Sequence, residues 1–300
     1  MAIPLANPLT PREETRESVQ PSAWRAPRAL HLWHLASLDA PTVAVVWALA
    51  FAWMADVHLG TWIPLLLACG TWAVYVSDRL LDAYRAIRLS KLDTLRERHY
   101  FHWLHRRLLL PAACAAAAIA AALVMRCTSF AVRNRDSVLA AAALVYFSGV
   151  HSPARLPNWL RRLVSKELMV GLLFAAGCAA PTLSRLHSAD WQVFACLGLF
   201  AALAWINCSA IENWESSHQE AAVLRHASAL CVVAFAVSGA SAFTNPRASA
   251  LACAVGISAL LLSLLDRRRG RLSPLTLRTV ADLVLLTPLI IPMIPGARLG

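Results

Sequence analysis

The chain has 300 residues, 58% of them hydrophobic and 15% charged, with a mean hydropathy of +0.55. So apolar a composition excludes an ordinary soluble domain. Apolar runs of near-spanning length recur from residue 40 to 295 and predict an all-α polytopic membrane protein, a bundle of about nine transmembrane helices; the short alternating segments of a β-barrel do not occur. The formal charge of +11 would suggest nucleic acid in a soluble chain. Here the arginines fall in loops, where they orient helices in a lipid bilayer, and no nucleic-acid partner is expected.

Residues 1–35 carry Pro, Arg and Glu without the apolar core of a signal peptide. They read as a flexible cytoplasmic tail ahead of a single domain over 36–296. The first span, about 40–57, opens with Ser37-Leu38-Asp39-Ala40-Pro41, where Asp39 suits a cap and Pro41 the first turn. The second span, about 61–82, ends in Tyr75-Val-Ser-Asp78-Arg79-Leu-Leu-Asp82. Asp78 and Asp82, four apart, share one helical face. Two such carboxylates suit Mg²⁺ with open positions for substrate phosphates, or equally an ion-paired helix end with Arg79 and Arg85.

The polar segment 83–107 holds His99, His102 and His105 among Tyr100, Phe101, Trp103 and Leu104, and reads as an interfacial amphipathic helix rather than a metal site. Further spans follow at about 108–125, 137–152 and 166–182. Arg161, Arg162, Lys166 and Glu167 enter the last of these, cations suited to an anionic headgroup. The sixth span, about 191–211, ends in Asn207-Cys-Ser-Ala-Ile-Glu212-Asn-Trp-Glu215, a second acidic pair. Spans at about 221–243, 248–265 and 276–295 complete the set, the last interrupted by Pro288, Pro292 and Pro295 and carrying Asp282 as a candidate interior polar group. The eight cysteines are scattered without a C-x-x-C pair and read as small buried hydrophobes.

With nine spans and a cytoplasmic N-terminus, all but Arg126, Arg133, Arg135, Arg185, Arg247 and Arg298 of the 28 Lys and Arg residues fall on the cytoplasmic side. This predicts the C-terminus outside and an integral membrane protein, with a bacterial inner membrane as its setting. Both acidic pairs and the Arg161–Lys166 cations then share one side. Facing carboxylate pairs across a bundle can build a divalent metal site.

On these residues the chain resembles the UbiA superfamily of intramembrane prenyltransferases. Asp78-Arg79-Leu80-Leu81-Asp82 is similar to the end of that family's first Asp-rich motif, Ser37-Leu38-Asp39-Ala40-Pro41 to its helix-1 opening, and Arg161-Arg162 before Gly171 to its K-R element. Val74 and Tyr75 stand where the family carries Asn and Asp, and Gln219 where its second motif ends in Asp. The resemblance implies a Mg²⁺-dependent transfer of a prenyl group from a polyprenyl diphosphate to a hydrophobic acceptor. Asp78 and Asp82 would be catalytic, Asp78, Asp82, Glu212 and Glu215 would hold metal, and Arg79, Arg162, Lys166 and Asn207 would bind substrate. The alternative is a degenerate member that binds lipid or isoprenoid without turnover.

Overall fold

The computed structural model describes residues 27–89, 96–134, 137, 138, 141, 166–186, 188, 190–215 and 222–293. Ten α-helices are ordered along them: α1 (Arg28–Leu35), α2 (Asp39–Met54), α3 (Trp62–Arg88), α4 (Glu97–Leu104), α5 (Arg106–Cys127), α6 (Lys166–Leu183), α7 (Trp191–Glu215), α8 (Ala222–Ser241), α9 (Pro246–Arg267) and α10 (Pro274–Val284). No strand occurs among the described residues. Five helices are long and apolar enough to cross a membrane, namely α5, α6, α7, α8 and α9, or six if the bent pair α1–α2 is one span. Among the described residues the candidate spans thus number five or six, short of the nine expected. The fourth predicted span, 137–152, lies outside the described residues apart from isolated positions. The second becomes α3, which runs on through Asp78, Arg79, Asp82, Arg85 and Arg88 without a break. The ninth stops as an α-helix at Val284 and continues as a 3₁₀ stretch, Thr287–Met293, that accommodates Pro288 and Pro292.

Local chemistry sets several of these boundaries. The Asn245 side chain accepts from the Ala248 N–H at 2.9 Å with Pro246 opening α9, and the Ser273 hydroxyl accepts from the Thr276 N–H at 3.3 Å with Pro274 opening α10. Each pairs a side-chain cap with a proline whose missing N–H costs nothing there. Between α1 and α2 the chain bends by 87°. Ser37 takes φ 59° in that turn, a left-handed conformation that a non-glycine residue seldom adopts.

Residues 28–35 belong to the folded body and not to a flexible tail: α1 is helical, and His34 is only 1% exposed. Its neighbour His31 reaches across to the Thr276 hydroxyl of α10 at 3.3 Å. Residues 1–26 lie outside the described set.

Two helices carry the interior. α2 and α7 are apolar on every side, which suits elements surrounded by others. α2 packs against α3, α6, α9 and α10, and α7 against α6, α8, α9 and α10. Their junction is an aromatic stack, Trp47 on Phe200 with ring centroids 3.9 Å apart and planes 16° from parallel, edged by Phe51. The Trp47 indole donates to the Leu285 carbonyl at 2.8 Å, satisfying its only polar atom. α6 approaches α7 at Gly171, where a Cβ would stand 2.7 Å from the Trp205 backbone nitrogen. α5 packs on α3 through Val76, Leu109 and Ala113 and turns Leu108, Leu110, Ile119 and Met125 outward, as a lipid-facing helix does.

Candidate functional site: a bipolar cavity

A half-open cavity of about 200 Å³ lies among α1, α2, α3, α4, α6, α7 and α10. Arg79, Arg96, Arg98 and Lys166 line it together with Asp39, Glu167, Glu212 and Asp282, on a floor that includes Val43, Phe174 and Leu285. Its volume falls below the roughly 300–1,000 Å³ of sites that engulf a whole ligand, so it suits a polar head whose apolar remainder lies elsewhere.

The acidic end is the more ordered. His34 Nδ1 lies 2.7 Å from Asp39 Oδ2 and 3.1 Å from Asp282 Oδ2. The second oxygens of both carboxylates are held from outside. Asp39 Oδ1 accepts from the Ala40 N–H at 2.9 Å, and Asp282 Oδ1 accepts from the Asn207 amide at 3.2 Å. Arg79 Nη1 donates to the His34 carbonyl at 3.1 Å, which places Nη2 3.6 Å from Asp39 Oδ2. Three helix ends and the α1–α2 bend thus meet at one point.

The basic end is built by α4. Arg98 lines the cavity, and its Nε has no hydrogen-bond partner. Burial, and then the neighbouring Arg79 and Arg96 guanidiniums, pull its pKa down to about 10. His102 anchors this helix from below: its Nδ1–H donates to the Arg98 carbonyl at 2.8 Å, which leaves Nε2 to accept from the Ser37 hydroxyl at 3.0 Å. Burial lowers the pKa of His102 to about 4 and, with Arg98, Arg79 and Arg96 adding to it, that of His99 to about 3. Both imidazoles are neutral at pH 7. The three histidines of this segment do not come together as a ligand group.

The residues singled out in the sequence divide by helical face. Arg79, Lys166, Asn207 and Glu212 line the cavity; Asp78 and Asp82 do not. Asp82 Oδ2 stands 4.0 Å from His99 Nε2. The Glu212 carboxylate, whose side chain is 59% exposed, is 3.8 Å from Arg96 at the rim. Glu215 ends α7, its side chain outside the described set, as are Arg162 and Gln219. Val74 is exposed, whereas Tyr75, one turn before Arg79, faces the cavity. The described members of the Mg²⁺ set implied by the resemblance are thus split, with Glu212 on the cavity and Asp78 and Asp82 off it. Among the described residues, no group of three that includes Asp78, Asp82 or Glu212 brings its ligand atoms within 4.8 Å. Sequence reasoning passed over His34, Arg96 and Arg98 as cavity residues. His34 was hidden by the assignment of 1–35 to a tail, although the apolar Trp33 and Leu35 beside it, followed directly by the Asp39–Pro41 helix start, are the signal of a docked segment.

No protein-family model, no curated protein and no solved structure matches the chain.

Proposed function

We propose that this chain is an intramembrane prenyltransferase whose cavity holds the diphosphate of a polyprenyl donor while a hydrophobic acceptor attacks the allylic carbon. The observation that carries the reading is Arg98. A half-buried arginine whose Nε is shut from solvent without a hydrogen-bond partner, sharing the cavity with Arg79 and Arg96, has its charge answered best by a multiply charged anion with several acceptor oxygens. Lys166, at the start of α6, and Asn207 complete the lining on which the diphosphate would rest.

In the reaction the allylic C–O bond breaks with its electron pair going to the diphosphate. Arg79, Arg96, Arg98 and Lys166 take up the charge that develops there. The carbocation left behind sits over the apolar floor, and an acceptor nucleophile adds to it and releases a proton. Glu167 and Glu212, which line the same cavity, are carboxylates that can receive that proton. Mg²⁺, which the resemblance implies, would neutralise the diphosphate as a leaving group; no step is assigned to an ion held by Asp78 and Asp82. The reading also sets the protein in a bacterial inner membrane with the N-terminus cytoplasmic and the C-terminus outside, on the distribution of Lys and Arg.

A second reading is favoured by one observation, that Asp78 and Asp82 stand off the cavity: a protein that binds an isoprenoid or lipid diphosphate without turnover. One experiment separates the two. The full chain in lipid nanodiscs is given geranylgeranyl diphosphate, and both binding and release of diphosphate with aromatic and lipid acceptors are measured. Binding weakened by Arg98→Gln together with diphosphate release supports the enzyme. Binding without release leaves the second reading, and donor affinity unaffected by Arg98→Gln refutes both.

A further inference from the structure

We propose that His34, Asp39 and Asp282 are the ligands of a divalent transition-metal site, distinct from the Asp78–Asp82 pair and independent of the prenyl donor. Among the described residues this is the one group of three whose candidate ligand atoms all lie within 4.8 Å of one another.

The geometry of each donor supports the assignment. In octahedral coordination with metal–ligand bonds near 2.1 Å, neighbouring donor atoms stand roughly 3 Å apart. The two distances from His34 Nδ1 to the carboxylate oxygens, 2.7 and 3.1 Å, straddle that spacing. Each carboxylate also divides its labour. Oδ1 is committed to an orienting hydrogen bond, from the Ala40 N–H in one case and the Asn207 amide in the other. Oδ2 in both is turned to the point that His34 Nδ1 faces. Outer hydrogen bonds of this kind orient metal ligands and are costly to remove.

A second observation comes from Asn207. It is 4% exposed, lines the cavity, and with its amide nitrogen given to Asp282 leaves Oδ1 buried without a partner. An ion-bound water would supply the missing donor. Three protein ligands on one side leave the remaining coordination positions open to the cavity. Arg79, 3.6 Å from Asp39 Oδ2, stands beyond hydrogen-bond length and does not displace an ion from that oxygen. One imidazole with two carboxylates selects Mn²⁺, Fe²⁺ or Zn²⁺ over Mg²⁺, which favours oxygen donors alone.

The test uses the full chain in nanodiscs after treatment with chelator, titrated with Mn²⁺ and followed by electron paramagnetic resonance. Stoichiometric binding is expected, with nitrogen hyperfine coupling from one imidazole in the pulsed spectrum of the wild type. That readout needs no variant, which matters because His34 and Asp39 are buried. Asp282→Asn should weaken Mn²⁺ at least tenfold. Asn207→Leu, which removes both the hydrogen bond to Asp282 and the acceptor for an ion-bound water, should weaken it by about 10- to 100-fold, with the metal-free unfolding temperature recorded for both. Asp78→Asn and Asp82→Asn should leave Mn²⁺ affinity within about twofold. Absence of stoichiometric binding, bound Mn²⁺ without nitrogen coupling, or affinity lost in Asp78→Asn but kept in Asp282→Asn each overturns the proposal. Because no prenyl donor is present, failure here leaves the diphosphate reading standing, and failure of donor binding leaves the metal site standing.

Discussion

His102 Nε2 accepts a hydrogen bond from the Ser37 hydroxyl at 3.0 Å, joining residues 65 apart in the chain. Both groups are fully buried. Ser37 sits in the left-handed turn that bends α1 away from α2, and His102 faces inward from the short amphipathic α4. One bond therefore ties the basic wall of the cavity to the bend that delivers His34 and Asp39.

This tie should respond to pH in a definite direction. The folded chain holds His102 at a pKa of about 4, below the ordinary imidazole value near 6.5. The fold thus favours the neutral ring, so its contribution is complete above about pH 6.5 and declines as pH falls toward 4. His99, held at about 3, acts in the same sense. Thermal unfolding in detergent should show a falling midpoint from pH 7 to 5, and His102→Gln should flatten that slope. A midpoint independent of pH in the wild type would contradict the buried neutral ring.

Gly171 is required by packing. A Cβ there would lie 2.7 Å from the Trp205 backbone nitrogen and 3.1 Å from the Ala201 carbonyl oxygen. Backbone cannot step aside as a side chain can. Gly171→Val should push α6 from α7 and cost about 1–3 kcal/mol, the range for overpacked interiors. Gly177, whose added Cβ meets nothing within 4 Å, should accept Ala with no loss. The two variants can be compared by unfolding temperature and by monodisperse yield.

The Trp47–Phe200 stack joins the two interior helices, and the Trp47 indole also satisfies the Leu285 carbonyl. Trp47→Ala opens a large cavity and should cost about 3–5 kcal/mol. Trp47→Phe keeps much of the ring and loses mainly the hydrogen bond, worth about 1 kcal/mol. Denaturant titration of the two variants should rank them in that order.

Arg98→Gln removes a guanidinium that crowds Arg79 and Arg96. In the donor-free protein the substitution should be neutral or mildly stabilising. Donor affinity should instead fall about tenfold or more, since a hydrogen bond to a charged group contributes about 1.5–3 kcal/mol. Arg88→Gln, on the exposed end of α3 against Tyr84, should leave donor affinity unchanged. Isothermal titration with geranylgeranyl diphosphate reads both.

Much of the helical order is legible in the chain. The Asn245-Pro246 and Ser273-Pro274 pairs mark helix starts with a cap and a proline, and the runs at 108–125, 166–182, 191–211, 221–243 and 248–265 correspond to α5 through α9. Composition and period are local properties, and burial of backbone polar groups in lipid leaves few other options. The ends of the spans were less legible: α3 continues past the acidic motif because nothing in Asp78–Arg88 breaks a helix, and α1 is held by tertiary contacts of His31 and His34.

The acidic motif at the end of α3 shows where sequence stops and tertiary structure begins. Spacing alone requires that Asp78 and Asp82 share a face, with Arg79 turned roughly 100° from Asp78. Which face looks inward depends on how α3 is rotated against α2 and α5, and no local signal carries that angle. The fold turns Tyr75 and Arg79 to the cavity and leaves both aspartates off it. In the same way, His34 and Asp282 stand 248 residues apart and meet only because α1 bends by 87° onto α10. Helix content follows from short-range chemistry, whereas the choice of acids that share a site is made by long-range packing.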